Sequence, residues 1–389
     1  NLKVNWRNNM TGIVDIAIIG GGIGGMCAAI QLKKLGKNVS LIEIKDTLKP
    51  IGAGITLSAA TLRALKEVGV VQELFKVSGQ FSQFDMYTSD GHKIAEAPIK
   101  PAIGAEDLAA NSIGVMRSKF AEVLENKLRE LGVNVILGTT VDKLENNKDS
   151  VKVLFTNGQE QQFDLVIGAD GIHSKIRHLV FPELPESTFT HQGAWRIVVP
   201  KYFNNFSMLI GKTLKASFSP ISDSQSYMCV LDRHESDDFI EQHLWPEKLS
   251  GLLAEFGSVV QEVKADIDQG KIKAEDILYR PLHTLLVEES WHKGRVVLLG
   301  DAVHSTTPHL ASGAGLAIEG AILLSEELAK DQPLEDALNH YQERHFDRAK
   351  MVISVSTRLG EIEMSNGSPV EHRELATKAF EALTQPLKA

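Results

Sequence analysis

Two cysteines, Cys27 and Cys229, are all that 389 residues carry, so no disulfide is expected and the usage suits a reducing cytoplasm. Cys27 stands among small residues in the first helical stretch and reads as core packing. Basic charge is not in excess: the formal net charge is −9, which removes the electrostatic footprint of a nucleic-acid partner. Apolar runs of membrane-spanning length are missing too, the most hydrophobic stretches being broken by glycine or Asp15. Lys3 and Arg7 precede Met10 without an apolar segment between them. No signal peptide is therefore expected, and Met10 reads as the natural start. No Walker loop, no Cys/His metal spacing, no Ser/His/Asp set, no internal repeat and no low-complexity linker is found. What is left is a soluble, cytoplasmic chain, 43% hydrophobic, long enough for one large domain or two intimately joined ones.

The most informative segment that is present runs from Val14 to Glu43. An apolar strand leads into a glycine-rich turn, a helix and a second strand closed by an acid. Gly20 allows the tight turn, Gly22 (followed by Ile23) lets main chain approach a pyrophosphate, and Gly25 lets helix and strand pack closely. Phosphates would sit on free N–H groups at the helix start. Glu43 falls where a ribose-binding acid is expected, about 20 residues on. A dinucleotide site follows.

Two later segments have a related shape. Residues 164–177 and 294–321 are each an apolar run stopped by glycine plus aspartate, Asp170-Gly171 and Gly300-Asp301, before a helix-compatible stretch. Each reads as a strand that delivers a carboxylate and a glycine turn to one sheet edge. A simple nicotinamide dehydrogenase has no need of the second.

Taken together, the three segments resemble the class A flavoprotein monooxygenases, single-component FAD hydroxylases of aromatic compounds, with the run from Gly300-Asp301 through Pro308-His309 to Glu319 most like the salicylate and hydroxybenzoate hydroxylase branch. The resemblance implies a Rossmann-like α/β FAD-binding domain with an inserted α+β substrate domain, the p-hydroxybenzoate hydroxylase-like fold, and C-terminal helices. It implies FAD as cofactor, NADH or NADPH as a transient co-substrate, and O2 and a small aromatic or heteroaromatic molecule as substrates. Oxygen would be transferred from a flavin C4a-hydroperoxide. It also implies that Asp301 bonds the ribityl hydroxyls, that Gly313, Ala314, Gly315 and Leu316 face the flavin's pyrimidine end, and that Arg117 reaches the pyrophosphate or ribose. Asp170 and Arg177 would serve FAD and the nicotinamide nucleotide, and Val141 would offer main chain to the adenine.

Each residue also has a plainer reading. Asp301 can be a helix N-cap, Arg177 a paired surface charge, and Arg117 a solvent-facing helix start. Pro308 suits a rigid turn beside the reactive ring edge, where His309 either bonds substrate or caps the turn; His304 structures the Gly-Asp loop. Arg196 could clamp a carboxylate with its two-pronged guanidinium, while Tyr227, Met228 and Phe218 could line an aromatic slot. His309 and Tyr227 are the candidates for moving protons.

Expected boundaries are 10–180 and 281–330 for the FAD-binding domain, 181–280 mainly for the substrate domain and 331–389 for C-terminal helices, the whole acting as monomer or homodimer. Helices are expected at 59–67, 117–131, 246–265, 333–357 and 369–384, and a hairpin turn at Asn157-Gly158. The chain departs from the family at Ala60, where asparagine is frequent, at Leu310-Ala311, where Gln-Gly is usual, and at Leu316 and Gly320, where glutamine and aspartate are common. These changes predict a more apolar flavin edge and a less usual or bulkier ring. The halogenase pattern Trp-x-Trp-x-Ile-Pro is absent, since Trp195 leads to Arg-Ile-Val-Val-Pro. Alternatives left open are an antibiotic-inactivating or quinolone-oxidising relative and a non-catalytic flavin redox module.

Overall fold

The computed structural model describes residues 12–50 and 52–388; Met10 and the polar residues before it lie outside the described residues. Continuous apolar runs at Asp15–Ile19, Leu165–Gly168 and Val296–Leu298 become neighbouring strands of a six-stranded sheet. Its order is His292–Lys293, Val296–Leu298, Leu165–Gly168, Asp15–Ile19, Asn38–Glu43, Asn134–Leu137. All pairs are parallel except the first. Ile16, Ala17 and Ile18 have no accessible surface, as expected when helices cover both faces of a parallel sheet. The helices Ile23–Lys34 and Gly313–Ala329 pack against each other so closely that a Cβ on Gly24 would lie 3.1 Å from that of Ala317. Helix Arg117–Leu131 buries Phe120, Leu124 and Leu128 along one stripe, matching its sequence period.

A second, eight-stranded sheet has the order His304–Ser305, Ile277–Leu286, Thr188–Pro200, Gln225–Arg233, Lys215–Pro220, Phe206–Ile210, Gln83–Thr88, Lys93–Pro98. Its last two strands come from well before residue 181, the boundary expected from composition, and Gln83–Thr88 joins by parallel pairing with Phe206–Ile210. Alternation divides the sheet's two faces. Trp195, Ile197, Val199, Phe218, Met228 and Val230 pack with helices Trp245–Leu253 and Ser258–Asp268 into a core of their own. Arg196 and Cys229, which are register partners, and Tyr227, two residues before Cys229 on the same strand, project from the opposite face.

The single helix expected at 246–265 is two. Phe256 turns into the second core, the Gly257 N–H is drawn to the Ser89 carbonyl at 2.7 Å, and Ser258 restarts the helix at φ 51°. Near the C-terminus, helix Leu334–Met364 runs one to two turns beyond its expected end, and Pro369–Thr384 follows, capped by the Ser368 hydroxyl. No described helix is long and apolar enough to cross a membrane.

Candidate cofactor and active site

Strand order places the motifs. Val296–Leu298, Leu165–Gly168, Asp15–Ile19 and Asn38–Glu43 are adjacent and parallel. The turns that leave their carboxyl ends, carrying Asp301, Asp170, Gly20 and Glu43, are therefore brought to one edge. That is where open α/β sheets bind their ligands. Arg177, almost fully buried, ties two of these turns together by donating to the carbonyls of Ala302 at 2.9 Å and Ile172 at 2.7 Å.

The glycines of the first turn divide into two kinds. A Cβ on Gly20 would meet the Ala169 carbonyl oxygen at 2.2 Å, and one on Gly25 the Gly20 carbonyl oxygen at 2.0 Å. These two are demanded by the fold itself, and Gly20 also needs its φ of +112°. A Cβ on Gly22 would meet nothing within 4 Å, and its backbone at φ −71° is open to any residue. No contact among the described residues requires a glycine at position 22, and the space beside it is open. The helix it precedes has no side-chain cap, and its first internal bond runs from Met26 N–H back to Gly22. The N–H groups of Ile23, Gly24 and Gly25 are thus free for phosphate oxygens. Glu43 accepts from the N–H of Gly21 at 2.7 Å and from that of Lys45 at 3.0 Å, fixing its carboxylate beside the turn.

Helix Gly313–Ala329 begins in the same way. Ser312 turns its hydroxyl to the Leu310 carbonyl and does not cap the helix, leaving Gly313, Ala314 and Gly315 to present free N–H groups. Leu316 cannot join them: its N–H bonds the Ser312 carbonyl at 2.8 Å and its side chain is core. Placing Leu316 at the flavin is therefore corrected by one residue's worth of helix geometry.

Asp301 keeps an exposed surface and its carboxylate has no hydrogen-bond partner among the described residues. Desolvation by the surrounding protein raises its carboxyl, with the Arg117 charge pulling the other way. An available carboxylate at this edge fits the hydroxyls of a ribityl chain. Asp170 is different. It accepts from the Ser174 hydroxyl and from the Ile176 N–H, so it organises the start of helix Lys175–Val180. Val141 opens strand Val141–Asn146 with its side chain fully buried, leaving only main chain for a ligand.

Across from this edge, the free face of the second sheet contributes Arg196 and Tyr227. The Arg117 guanidinium lies close enough to feel Arg196, Tyr227 and Asp301. Burial lowers its pKa first, the Arg196 charge lowers it further, and Tyr227 and Asp301 oppose. No side-chain hydrogen bond or ion pair satisfies Arg117 among the described residues. The charges of Arg196 and Asp301 thus both act on Arg117, in opposite directions. Tyr227 packs its ring on Gly54 and bonds the Thr56 hydroxyl at 3.3 Å; burial pushes its phenol up. It is therefore a neutral hydroxyl at ordinary pH, a donor and not a base. Thr56, which also bonds Ser219 at 2.9 Å, carried no sequence signal.

Phe218 and Met228 lie on the other side of that sheet. With 0% and 1% of their surfaces exposed they pack among Trp195, Trp245 and Leu249. Phe218 meets Phe203 and Tyr202 edge-on. One step along a strand reverses the face, so Met228 departs from the slot that Tyr227 borders. The family departures are core residues as well. Ala60, Leu310 and Leu316 belong to the main core, Ala60 and Leu316 also line a small cavity with Ser312 and Gly315, and Gly320 packs toward Leu299 and His345.

Pro308 starts a one-turn helix, Pro308–Leu310, ended by Ala311 at φ 48°. His309 is held at both ring nitrogens, Nδ1 by the Thr307 hydroxyl at 2.7 Å and Nε2 by Glu363 at 3.2 Å. His304 lies elsewhere, buried against Trp291 and His345 with neither ring nitrogen partnered.

The family described as FAD binding domain matches residues 13–356. YetM of Bacillus subtilis, which carries a provisional FAD-dependent monooxygenase name, is 31% identical over 347 residues, covering 88% of this chain and 92% of YetM. The 2-heptyl-3-hydroxy-4(1H)-quinolone synthase of Pseudomonas aeruginosa is 29% identical over 359 residues, covering 90% of this chain and 89% of the synthase. Klebsiella pneumoniae HpxO, solved with FAD and uric acid, shares the fold with a TM-score of 0.79 at 23% identity, over 97% of this chain and 94% of HpxO.

Proposed function

Because this chain belongs to the FAD-binding-domain family of class A, single-component FAD-dependent aromatic monooxygenases, we propose that it uses NADH or NADPH and O2 to hydroxylate a small heteroaromatic anion. What supports an anionic substrate is that Arg117, with no side-chain partner among the described residues, lies within range of the Arg196 charge, with Tyr227 and Asp301 opposing. Bound FAD would supply the redox chemistry, hydride uptake from the nicotinamide and transfer of one atom of O2 to the ring, the other leaving as water. The chain's residues do the rest. Gly22 and the free N–H groups after it hold the pyrophosphate, and Asp301 accepts from the ribityl hydroxyls. The start of Gly313–Ala329 presents N–H groups and a positive dipole end that favours negative charge on the pyrimidine end of the ring system. Arg196 pairs with the anionic group of the substrate, orienting it by charge-assisted hydrogen bonds. Tyr227, protonated and donating to Thr56, borders the ring and leaves its hydroxyl oxygen to accept from it. Pro308 and the buried turn behind it keep water from the reacting edge.

The two sheets correspond, in this reading, to an FAD-binding domain and a substrate domain, with nicotinamide visiting the former transiently. A fused bicyclic ring is supported by the quinolone in the name of the Pseudomonas relative and the uric acid bound in HpxO. The test is anaerobic stopped-flow reduction of the FAD-loaded protein by NADH and by NADPH, against quinolones, purines, hydroxypyridines and aromatic acids. Acceleration by one anionic ring, with a hydroxylated product once oxygen is readmitted, is the expected result. Reduction indifferent to every ring would overturn the reading.

A further inference from the structure

Four segments distant in sequence meet at one carboxylate. Glu363, in the last turn of Leu334–Met364, accepts from Nε2 of His309 at 3.2 Å, Nε2 of His372 at 2.8 Å and Nζ of Lys215 at 2.7 Å. His309 comes from the turn beside the proposed flavin edge, Lys215 from the second sheet and His372 from the first turn of Pro369–Thr384. Nζ of Lys215 is also 3.3 Å from Nε2 of His372. On the inner side, Nδ1 of His309 is 2.7 Å from the Thr307 hydroxyl, and Thr307 is buried. Side-chain exposure rises outward, from 4% at His309 through 19% at Glu363 to 24% at His372. An ion pair of Lys215 with Glu363 would be enough to fasten the helix end. Two histidines on either side of the carboxylate add something a fastener does not use, rings with a second nitrogen that can take up a proton as the first gives one away.

We propose that Thr307, His309 and Glu363, the last held in place by His372 and Lys215, form a proton-conducting chain linking the Pro308 turn to bulk water. An ionised Glu363 only accepts, so Nε2 of His309 carries a proton and Nδ1 accepts from the Thr307 hydroxyl. A proton arriving at Oγ1 of Thr307 releases that hydroxyl's own proton to Nδ1. The Nε2 proton passes to Oε2 of Glu363, and the partly exposed carboxyl releases it to water while His372 and Lys215 go on donating to Oε1. Only protons move. Burial would raise the Glu363 carboxyl, but hydrogen bonds from His309 and His372 and the charges of His309 and Lys215 hold it well below the usual range. Lys215 thus keeps the relay ionised at rest. Glu363 and His372 are positioning residues, acting through His309. The use of the chain rests on the monooxygenase reading, since ring hydroxylation needs protons exchanged at a site closed to water.

The test uses the full-length, FAD-loaded protein and its Glu363→Gln and His372→Gln variants. Glu363→Gln is expected to slow product formation at least about tenfold, to displace the pH profile, to leave KM within about twofold, and to recover in part with added formate. His372→Gln, at the surface end, should displace the pH profile while remaining folded. A variant whose melting point falls but whose pH profile and rate match the unaltered protein would overturn the proposal, leaving a fastener. Exchange of the His309 ring N–H with deuterated water, followed by NMR, gives a reading independent of turnover. It should slow in Glu363→Gln, and an unchanged exchange rate would overturn the chain. If no aromatic compound stimulates flavin reduction, the monooxygenase reading has failed, and the NMR result alone then decides on the relay.

Discussion

Replacing Gly22 by valine separates what the fold needs from what the cofactor needs. The backbone there, φ −71° and ψ 178°, suits any residue, and an added Cβ meets nothing within 4 Å. The FAD-free variant should fold, and loss of glycine's freedom in the unfolded chain should stabilise it by about 0.4–1 kcal/mol. The isopropyl group occupies the space assigned to the pyrophosphate, so FAD affinity should fall at least about 100-fold, roughly 2.7 kcal/mol. Two assays read this. Bound flavin per chain should drop to near zero after purification. Added FAD at about 100 times the Kd of the unaltered protein should stabilise that protein by about 2.7 kcal/mol and the variant by almost nothing. Gly25→Ala is the contrast: its Cβ would sit 2.0 Å from the Gly20 carbonyl oxygen, so stability should fall with or without FAD. Full flavin occupancy in Gly22→Val, or melting as poor as that of Gly25→Ala, would refute the placement of the pyrophosphate.

Arg196→Gln should raise KM for the aromatic anion by about 10- to 100-fold, the 1.5–3 kcal/mol of a charge-assisted bond, with flavin content unchanged; an unaltered KM would remove Arg196 from the substrate. Phe218→Ala should lower stability by about 3–5 kcal/mol and leave KM of the folded fraction as it was, since the ring belongs to the second core. Burial pushes the pKa of His304 down to about 4 from 6.5, and the same direction holds for His345, whose ring centroid is 4.9 Å away. A histidine depressed in the folded state contributes fully above about pH 6.5, and that stability is lost as pH falls toward 4, on the order of 3 kcal/mol. His304→Phe should therefore flatten the acid limb of a melting-point profile between those pH values, and an unchanged slope would contradict the assignment.

The cofactor edge was legible because its parts are local. A strand, a glycine turn and a helix start lie within a few residues of one another, and the turn residues act through main chain. Glu43, Gly22 and Asp301 needed only that logic. The second sheet was not legible in the same way. Strand periodicity says that Tyr227 and Met228 face opposite sides, but only the helices packed on one side decide which of them is core. Gln83–Thr88 joins that sheet through parallel pairing with a strand more than a hundred residues later, and nothing near residue 83 announces it. Asp170 looked like a ligand because its motif matches that of Asp301, yet Ser174 and the Ile176 N–H already use its carboxylate. His309 was singled out without its partner; Glu363, 54 positions on, has no signature at all. The break at Gly257 had a local cue, a glycine within an otherwise helical run, which the apolar period outweighed.

The claim at the centre is that this chain's FAD site transfers oxygen to a ring held by Arg196. It is tested most directly by turnover under isotopically heavy oxygen gas, with NADH or NADPH and the ring compound that most accelerates flavin reduction, followed by mass spectrometry of the product. The account predicts one heavy oxygen atom in the product for each nicotinamide consumed, and loss of that incorporation in Arg196→Gln at substrate concentrations that saturate the unaltered enzyme poorly. Product carrying oxygen from water, or nicotinamide oxidation that yields only peroxide with every ring, would contradict it.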